Sequence, residues 1–215
     1  MTKRRLCFIE EGYGGFRIKK GTAIKGVKSP VILASVSPRR IALLKQWGLK
    51  FKIIPSHIKE HTLLKKPSFI VKELALRKAE SVAKKLKEGL VIGADTIVVL
   101  KGHIIGKPAD ELHSREILKK LNGSFHKVYT GIAVIDSKTN QKKVDYEVSR
   151  VKMRKLSDTE INKLAGKHMD KAGAYAVQEK DDAFVEKIFG DYYNVVGLPY
   201  KKTKKLLKYF NIKLK

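Results

Sequence analysis

Apolar and polar positions follow two different periods along the chain after residue 29. Short runs of β-branched and other apolar residues predict strands, and apolar residues at every third or fourth position predict helices between them. The predicted strands lie at 31–35, 51–55, 90–100, 126–136 and 143–153. The predicted helices lie at 38–47, 67–88 and 110–121, after the capping-box pattern of Ser157 and Glu160, and within the basic amphipathic stretch 198–210.

The order of these elements predicts the fold class. Strands alternate with helices at first, whereas the strands at 126–136 and 143–153 are joined by a short turn. This order predicts an α/β protein with a mixed sheet flanked by helices, rather than a purely parallel sheet. The length of 215 residues suits one substantial core, assigned to 29–215. Residues 1–28 are glycine-rich and basic, which predicts an appendage, either a small hairpin or a partly ordered tail.

The charge of the chain narrows its partners only coarsely. The 47 basic and 21 acidic residues give a formal net charge of +26, which attracts polyanions without identifying one. RNA, DNA, anionic membranes and nucleotide phosphates all remain candidates at this point. The lysines are spread over the whole length, so a lysine-rich surface with no polyanionic partner fits equally well, whereas a nucleic-acid footprint is typically concentrated on one face.

Cysteine content and apolar run length bear on the compartment. Cys7 is the only cysteine, which excludes a disulfide framework and a thiolate zinc site and favours a reducing cytoplasm. The longest apolar run, at 90–100, is interrupted by Asp95 and is far shorter than the roughly 20 residues of a membrane-spanning helix. No secretory signal is visible. We therefore expect a cytoplasmic protein without a membrane partner.

Two adjacent arginines stand where a predicted strand gives way to a helix, in "ASVSPRR". Ser37 suits the N-cap and Pro38 the first helical turn. Arg39 and Arg40 do not suit this place, because a helix N-terminus already carries partial positive charge and unpaired N–H groups. An anion shared between the two side chains and the backbone would resolve the conflict, which indicates a phosphate site. The alternative is two solvated arginines on a surface turn.

A carboxylate and an ammonium group are predicted in apolar surroundings. Asp95 interrupts the run "VIGADTIVV", where an ionised carboxylate is costly unless it is paired, bound to a metal or placed at a cleft. Lys78 falls in the middle of the apolar face of the helix at 67–88, so it must either snorkel to solvent or meet an anion.

Two weaker candidates complete the set of charged residues. Glu60 stands in a locally basic loop, and Lys107 stands in a turn between a glycine and a proline. Two carboxylates that hold a divalent metal, with cations that neutralise phosphate oxygens, are the groups that phosphoryl or nucleotidyl transfer needs. Sequence spacing alone does not bring them together, and the histidines lack the regular spacing of a metal cluster.

Seven ordered motifs give the chain a family resemblance over about residues 30–209. They are "LASVSPRR", "LALRKA", "GADTIVV", "IIGKP", "GSFHKVYTG", "DKAGAYAVQ" and "GDYYNVVGLP". With them the chain resembles the Maf family of nucleoside triphosphate pyrophosphatases, once described as septum formation inhibitors. The resemblance implies an α/β fold of two lobes around a deep cleft, related to inosine triphosphate pyrophosphatases, and a homodimer. It also implies hydrolysis between the α and β phosphates of a nucleoside triphosphate, with Mg²⁺ or Mn²⁺.

The same resemblance implies roles for individual residues. Asp95 would be the general base or metal-linked carboxylate, Glu60 would help to place the metal, and Lys78 and Lys107 would neutralise developing charge. The substrate-binding residues would be Ser35, Arg39, Arg40, Thr96 and Gln178.

The resemblance also bears on the substrate, and it leaves alternatives. With Thr96 and Gln178 the chain resembles the branch of the family that acts on dTTP and UTP. The amide of a glutamine such as Gln178 could form paired hydrogen bonds with the edge of a pyrimidine. Such an enzyme would clear surplus triphosphates from the nucleotide pool, with a link to cell-division arrest. The alternatives are a 7-methyl-GTP pyrophosphatase and a basic nucleic-acid-binding or septum regulatory protein without hydrolysis. We do not expect a nucleic-acid partner, because carboxylates in apolar and cleft-prone settings would repel a polyanion and no nucleic-acid-binding motif is visible.

Overall fold

The computed structural model describes residues 29–177 and 184–214, and its centre is one mixed sheet. The strands are Val31–Leu33 (β1), Lys52–Ile53 (β2), Leu90–Leu100 (β3), His103–Ile105 (β4), Phe125–Asp136 (β5), Lys142–Met153 (β6) and Val185–Phe189 (β7). Their order is β2-β1-β3-β5-β6-β7, and β4 pairs with β3. β1 is parallel to β2 and β3, and the remaining pairs are antiparallel. The predicted mixed sheet is confirmed.

The helices pack around two ends of the long central strands. They are Pro38–Gln46 (α1), Pro67–Ala83 (α2), Glu111–Leu121 (α3), Asp158–Leu164 (α4), Tyr192–Val196 (α5) and Tyr200–Tyr209 (α6). α1 and α6 bury their apolar faces in one hydrophobic cluster, and α3 and α4 bury theirs in another. β3 and β5 contribute side chains to both clusters, so one sheet carries the two halves of the molecule.

Two glycines allow α2 to lie unusually close to the sheet. A Cβ atom on Gly93 of β3 would lie 2.2 Å from the carbonyl oxygen of Ala75, and one on Gly131 of β5 would lie 2.1 Å from that of Val71. Both distances are far below van der Waals contact, so a side chain at either position would push the helix away. The close approach sets the distance between α2 and β3 at the level of Asp95.

One edge of β3 is left open in the middle of the strand. β1 pairs with residues 90–92 of β3, and β4 pairs on the same side with residues 98–100. Between them, residues 93–97 pair only with β5 in the part of the chain that the structure describes. Asp95 and Thr96 lie in this gap. Although adjacent strand residues point to opposite faces, both side chains can reach a space that opens at the strand edge.

The long helix α2 ends at Ala83, five residues earlier than the pattern predicted. Lys84, Lys85 and Lys87 remain exposed, while Leu86 turns back against the core that Ala83 and Ile32 share. The helix therefore ends before this lysine-rich stretch, and the chain bends so that Leu86 packs against the core. Gly89, at φ 152°, then leads into β3.

The predicted helices and long strands are confirmed to within a few residues elsewhere, and the short elements were missed. β4, β7 and α5 had no counterpart in the prediction. β4 follows a two-residue turn in which Lys101 and Gly102 have φ of 47° and 88°, the conformation of a tight hairpin. The capping box of Ser157 and Glu160 is present in full. No helix among the described residues is long and apolar enough to cross a membrane.

Candidate active site

A cleft of about 690 Å³ opens at the gap in the sheet. Its volume is typical of a site for a small molecule of nucleotide size. Eight of the nine residues that the sequence singled out line it: Ser35, Arg39, Arg40, Glu60, Lys78, Asp95, Thr96 and Lys107. The ninth, Gln178, lies outside the described residues. The fold therefore achieves the convergence that sequence spacing could not show.

Lys78 contacts the carboxylates of both Asp95 and Glu60 in the cleft. Its Nζ lies 2.6 Å from Oδ1 of Asp95 and 2.5 Å from Oε1 of Glu60. Lys78 and Asp95 are buried at 8% and 5% exposure, whereas the side chain of Glu60 is half exposed. Asp95 is delivered by β3, Lys78 by α2 and Glu60 by the loop before α2. Of the two arrangements expected for Lys78, the structure therefore has the ion pair with an anion, and the side chain does not extend to solvent.

The two carboxylates have opposite pKa shifts. Burial raises the pKa of Asp95 above its usual range, and the charges of Lys78 and Arg40 offset this only in part. Partial burial also acts to raise the pKa of Glu60, but the hydrogen bond and charge of Lys78, with the charges of Lys107 and Arg40, hold it below its usual range. Asp95 therefore has a greater affinity for a proton than an ordinary aspartate, which suits a general base in a cleft.

Arg40 is fixed behind the cleft by three hydrogen bonds. Its Nε donates to the carbonyl oxygen of Gly197 at 2.9 Å, Nη1 donates to Oγ of Ser35 at 3.3 Å, and Nη2 donates to Oγ1 of Thr96 at 3.1 Å. Thr96 Oγ1 in turn lies 3.0 Å from Oγ1 of Thr130. Ser35 and Thr96 thus hold the guanidinium in place. Arg40 contributes a buried positive charge to the cleft wall.

Arg39 lies at the mouth of the cleft, where it is more exposed. Its Nη1 lies 3.1 Å from Oδ2 of Asp170, whose side chain is 60% exposed. An exposed ion pair of this kind is weak and readily exchanges one partner for another. Of the two adjacent arginines, Arg39 is therefore the one that is free to meet a phosphate directly.

The N-terminus of α1 opens into the same cleft. Ser37 is the N-cap residue, as predicted, but its side chain makes no capping hydrogen bond. Its backbone N–H donates to Oγ of Ser35 at 3.2 Å. Ser37, Pro38 and Arg39 all line the cleft. A helix N-terminus without a side-chain cap, beside an arginine, suits an anion.

Three further cleft residues escaped the sequence analysis. Asp170, Lys171 and Tyr175 line the cleft from the segment "DKAGAYAVQ". Lys171 Nζ lies 3.0 Å from Asp170 Oδ1 and 3.1 Å from Nδ1 of His168. This segment contains Ala174, which is fully buried at φ 56°. No local pattern distinguishes these side chains from those of an ordinary loop, and only the motif itself marked the segment.

The opposite wall of the cleft is apolar. It is formed by side chains from β3, β5, α5 and the loop before β7, namely Val98, Val128, Ala172, Tyr175, Ala176, Val177, Val195 and Val196. The cleft is therefore divided into a charged end and an apolar end. A ligand with an anionic part and a flat or apolar part would match both ends.

The residues present fit a divalent metal that arrives together with a phosphate. The described residues contain no group of three or more acidic, histidine or cysteine side chains that could hold a metal ion. Glu60 and Asp95 supply two carboxylates, and Mg²⁺ characteristically takes one or two carboxylates together with substrate phosphate oxygens. A dedicated metal cage built from protein groups alone is not formed by these residues.

Comparison with known proteins identifies close relatives. Residues 30–210 match the family described as Maf-like protein. The chain is 49% identical over 180 residues to a dTTP/UTP pyrophosphatase of Elusimicrobium minutum, covering 84% of this chain and 98% of the relative. It is 45% identical over 185 residues to one of Dictyoglomus thermophilum, covering 84% and 96%, and 48% identical over 181 residues to one of a Thermoanaerobacter species, covering 83% and 95%.

A solved structure of the Staphylococcus aureus Ham1 protein matches with a TM-score of 0.41 and 18% identity over 58% of this chain and 72% of the other. The alignments cover nearly the whole length of these relatives. The family model matches residues 30–210, a range that includes the residues lining the cleft. The chain therefore belongs to the Maf-like protein family.

Proposed function

We propose that the protein is a nucleoside triphosphate pyrophosphatase that hydrolyses dTTP and UTP to the monophosphate and pyrophosphate. The observation that carries the proposal is the placement of Lys78 between Asp95 and Glu60 in a cleft that one helix N-terminus and several cations also line. The activity named for relatives at 45% and 49% identity supports the choice of substrate. Clearance of surplus triphosphates from the nucleotide pool follows from this chemistry.

The triphosphate binds at the charged end of the cleft. Arg39 exchanges its weak contact with Asp170 for a phosphate oxygen, and the uncapped N-terminus of α1 donates backbone N–H groups. Lys107, exposed on the cleft rim, adds a further cation. Arg40 stays in its hydrogen-bonded frame and acts through its charge. The base and sugar then lie toward the apolar wall.

Asp95 activates the water that attacks the α-phosphorus. In the part of the chain that the structure describes, Lys78 is the only side chain that donates a hydrogen bond to Asp95, and it does so through Oδ1. The second oxygen is available to accept the proton of a water molecule. The water oxygen forms a bond to the α-phosphorus as the bond from that phosphorus to the bridging oxygen breaks. Pyrophosphate leaves with the electron pair, and Lys78 and Lys107 stabilise its charge.

Glu60 and Asp95 would hold the divalent ion, Mg²⁺ or Mn²⁺, together with oxygens of the bound triphosphate. When bound, the ion would polarise a phosphoryl oxygen as a Lewis acid. The low pKa of Glu60 keeps its carboxylate ionised as a ligand at neutral pH. Removal of divalent ions with a chelator should abolish turnover, and added Mg²⁺ or Mn²⁺ should restore it.

Base selection belongs to the far end of the cleft. We assign it to Gln178, the residue directly after the cleft-lining Val177, because an amide can pair with the edge of a pyrimidine through one donor and one acceptor. Thr96 contributes by holding Arg40 in place rather than by touching the base. Gln178→Ala should lower the preference for dTTP over CTP without removing hydrolysis.

The test is pyrophosphate release by the purified full chain with dTTP, UTP, CTP, GTP and 7-methyl-GTP, in Mg²⁺ or Mn²⁺. The proposal predicts equal amounts of pyrophosphate and monophosphate from dTTP and UTP, with the other nucleotides hydrolysed more slowly. Preference for 7-methyl-GTP would keep the reaction and overturn the substrate. Absence of release from all five would overturn the proposed function itself.

Family resemblance also supports a homodimer, which we include in the proposal. Sedimentation equilibrium of the purified chain should give twice the monomer mass of 24.3 kDa. A single species at the monomer mass would remove this part and leave the reaction untouched.

A further inference from the structure

A second charged surface lies on the sheet, away from the cleft. Strand register places alternate residues of β5, β6 and β7 on one face of the sheet, beyond the N-terminus of α2. We call them the basic-aromatic face: Phe125, Lys127, Tyr129, Val148, Arg150, Lys152, Lys187 and Phe189. None of these eight residues lines the cleft. Val128 of β5 does, but it alternates with Lys127 and Tyr129 and so points to the opposite side of the sheet.

The composition of this face is one-sided. Four of its eight residues are basic, three are aromatic and none is acidic. Glu147 alternates with Val148 and so belongs to the opposite side of the sheet. Glu186 is an exposed residue next to Lys187, at the point where the register between β6 and β7 shifts. Phe125, Val148 and Phe189 are 41%, 39% and 45% exposed, which is high for large apolar residues on a sheet.

The exposed rings are held in place by cations. The rings of Phe125 and Phe189 lie 6.2 Å apart. The guanidinium carbon of Arg150 lies 3.9 Å from the centre of the Phe125 ring, and Nζ of Lys187 lies 5.2 Å from the centre of the Phe189 ring. An Arg side chain over a ring presents its own flat surface to the solvent. The face thus offers neighbouring flat surfaces bordered by positive charge.

This combination matches one class of ligand. Single-stranded nucleic acid is bound by a positively charged surface that tracks the phosphates and by aromatic rings or guanidinium planes on which unpaired bases stack. Duplex bases are not available for such stacking. Residues 1–28 of the chain are a poor match as the occupant of this face. They carry eight basic and two acidic side chains, so their positive charge would be repelled by the cations of the face.

We propose that the basic-aromatic face binds single-stranded nucleic acid, with bases stacked on Phe125, Phe189 and Arg150 and phosphates paired with the surrounding lysines. The site is independent of the proposed hydrolysis. Sequence alone argued against nucleic acid, because the lysines are spread along the chain and the cleft carries carboxylates. In the fold, strand alternation nevertheless collects four cations and three aromatic rings on one face.

The test is fluorescence anisotropy of a labelled 20-nucleotide oligothymidylate and oligouridylate with the full chain at several salt concentrations. Phe125→Leu/Phe189→Leu keeps the apolar contact but removes the rings, and should weaken binding at least tenfold. Arg150→Gln/Lys187→Gln removes one stacking surface and one phosphate partner, and should lower the slope of log affinity against log salt by about 0.7, the value for one phosphate contact on a single strand.

Matched controls come from α6. Tyr209→Leu removes an equally exposed aromatic ring, and Lys204→Gln/Lys205→Gln removes two exposed cations. Both should bind the oligonucleotides like the unchanged protein. All variants should keep the same rate of dTTP hydrolysis, so a failure of the enzyme proposal would not affect this readout. Thermal melting monitors folding, and the arginine–lysine pair of substitutions tests the site if the phenylalanine pair unfolds.

Several outcomes would overturn the proposal. They are no binding of either oligonucleotide at low salt, equal weakening by the α6 controls, or unchanged affinity in both face variants. Equal or tighter binding of a 20-base-pair duplex, or of phosphatidylglycerol vesicles, would show a general attraction to polyanions rather than a single-strand site. Competition by saturating dTTP would assign the binding to the cleft.

Discussion

Two buried polar pairs lie beside the cleft, and they differ in charge. Lys78 and Asp95 lie 2.6 Å apart at its charged end, and His126 and Tyr175 lie 2.7 Å apart where β5 meets the apolar wall. Burial lowers the pKa of His126 to about 4 and raises the pKa of Tyr175, so the second pair is neutral at pH 7. The first pair consists of two opposite charges, and the half-exposed Glu60 is a second carboxylate on the same ammonium.

The difference separates a reacting centre from a structural contact. Keeping two charges in a buried site is costly, and removing one partner leaves the other uncompensated. A neutral hydrogen bond satisfies polar atoms without that cost. The charged pair therefore lies where an anionic substrate and a water must be handled, and the neutral pair lies where Tyr175 packs into the core beside α3 and α4. Variants of the first pair should affect turnover, and variants of the second should affect stability.

The largest expected effect follows Lys78→Met. Without the ammonium, only the charge of Arg40 still opposes the effect of burial, so the pKa of Asp95 rises further and the carboxylate is protonated at higher pH. We expect turnover of dTTP at pH 7 to fall by on the order of 10³, the range of a lost base together with lost charge stabilisation. The acid limb of the pH–rate profile should move to higher pH. An unchanged pH–rate profile in Lys78→Met would mean that Lys78 does not control the protonation of Asp95.

Acid sensitivity of folding is the next effect. The pKa of His126 falls from 6.5 in the unfolded chain to about 4 in the folded protein, so the unfolded state binds more protons between these values. The free energy of unfolding therefore includes the full contribution of neutral His126 above pH 6.5. This contribution is lost as the pH falls toward 4, and the total loss is about 3 kcal/mol. Urea unfolding from pH 7 to pH 4 measures it. In His126→Leu this part of the pH dependence should vanish.

The His126–Tyr175 contact itself should be worth less. His126→Leu leaves the buried Tyr175 hydroxyl unpaired, and Tyr175→Phe leaves His126 Nε2 unpaired, each at a cost of about 1–3 kcal/mol. The double variant should cost clearly less than the sum, because neither partner is then stranded. Chemical unfolding of the three variants at pH 7 gives the coupling. Strict additivity would mean that the two side chains do not act as a pair.

Arg39→Gln should give the smallest change. Arg39 is partly exposed and has only a weak contact with Asp170 to give up, so its loss should raise KM for dTTP by less than about tenfold. Stability should stay the same. Asp170→Asn serves as the matched change, because it frees Arg39 and should lower KM slightly. Loss of kcat rather than KM in Arg39→Gln would place Arg39 at the reacting phosphate.

The long helices and strands, and the charged residues that interrupt their apolar surfaces, could be predicted from the sequence. α2 and β3 have strong periodic patterns, and Lys78 and Asp95 stood out because each interrupts an apolar surface. Such a conflict between a residue and its local surroundings is visible without the fold. The resemblance then connected these residues with one reaction.

What could not be predicted depends on tertiary contacts. β4 and α5 have three and five residues and are held by pairing and packing rather than by their own pattern. The frame around Arg40 joins residues 35, 96 and 197, which no spacing relates. The gap in the sheet depends on where β1 stops and β4 begins along one edge of β3.

Asp95 is the residue on which the proposed hydrolysis depends most directly. In Asp95→Asn the amide has nearly the same shape but cannot accept the proton of water. Asp145→Asn is its matched control, because that carboxylate pairs with Lys202 at 3.0 Å outside the cleft. We predict that single-turnover hydrolysis of dTTP falls by about 10² to 10⁴ in Asp95→Asn and stays within twofold in Asp145→Asn, with both variants folded. Near-normal turnover in a folded Asp95→Asn protein would contradict the assignment of Asp95 as the base.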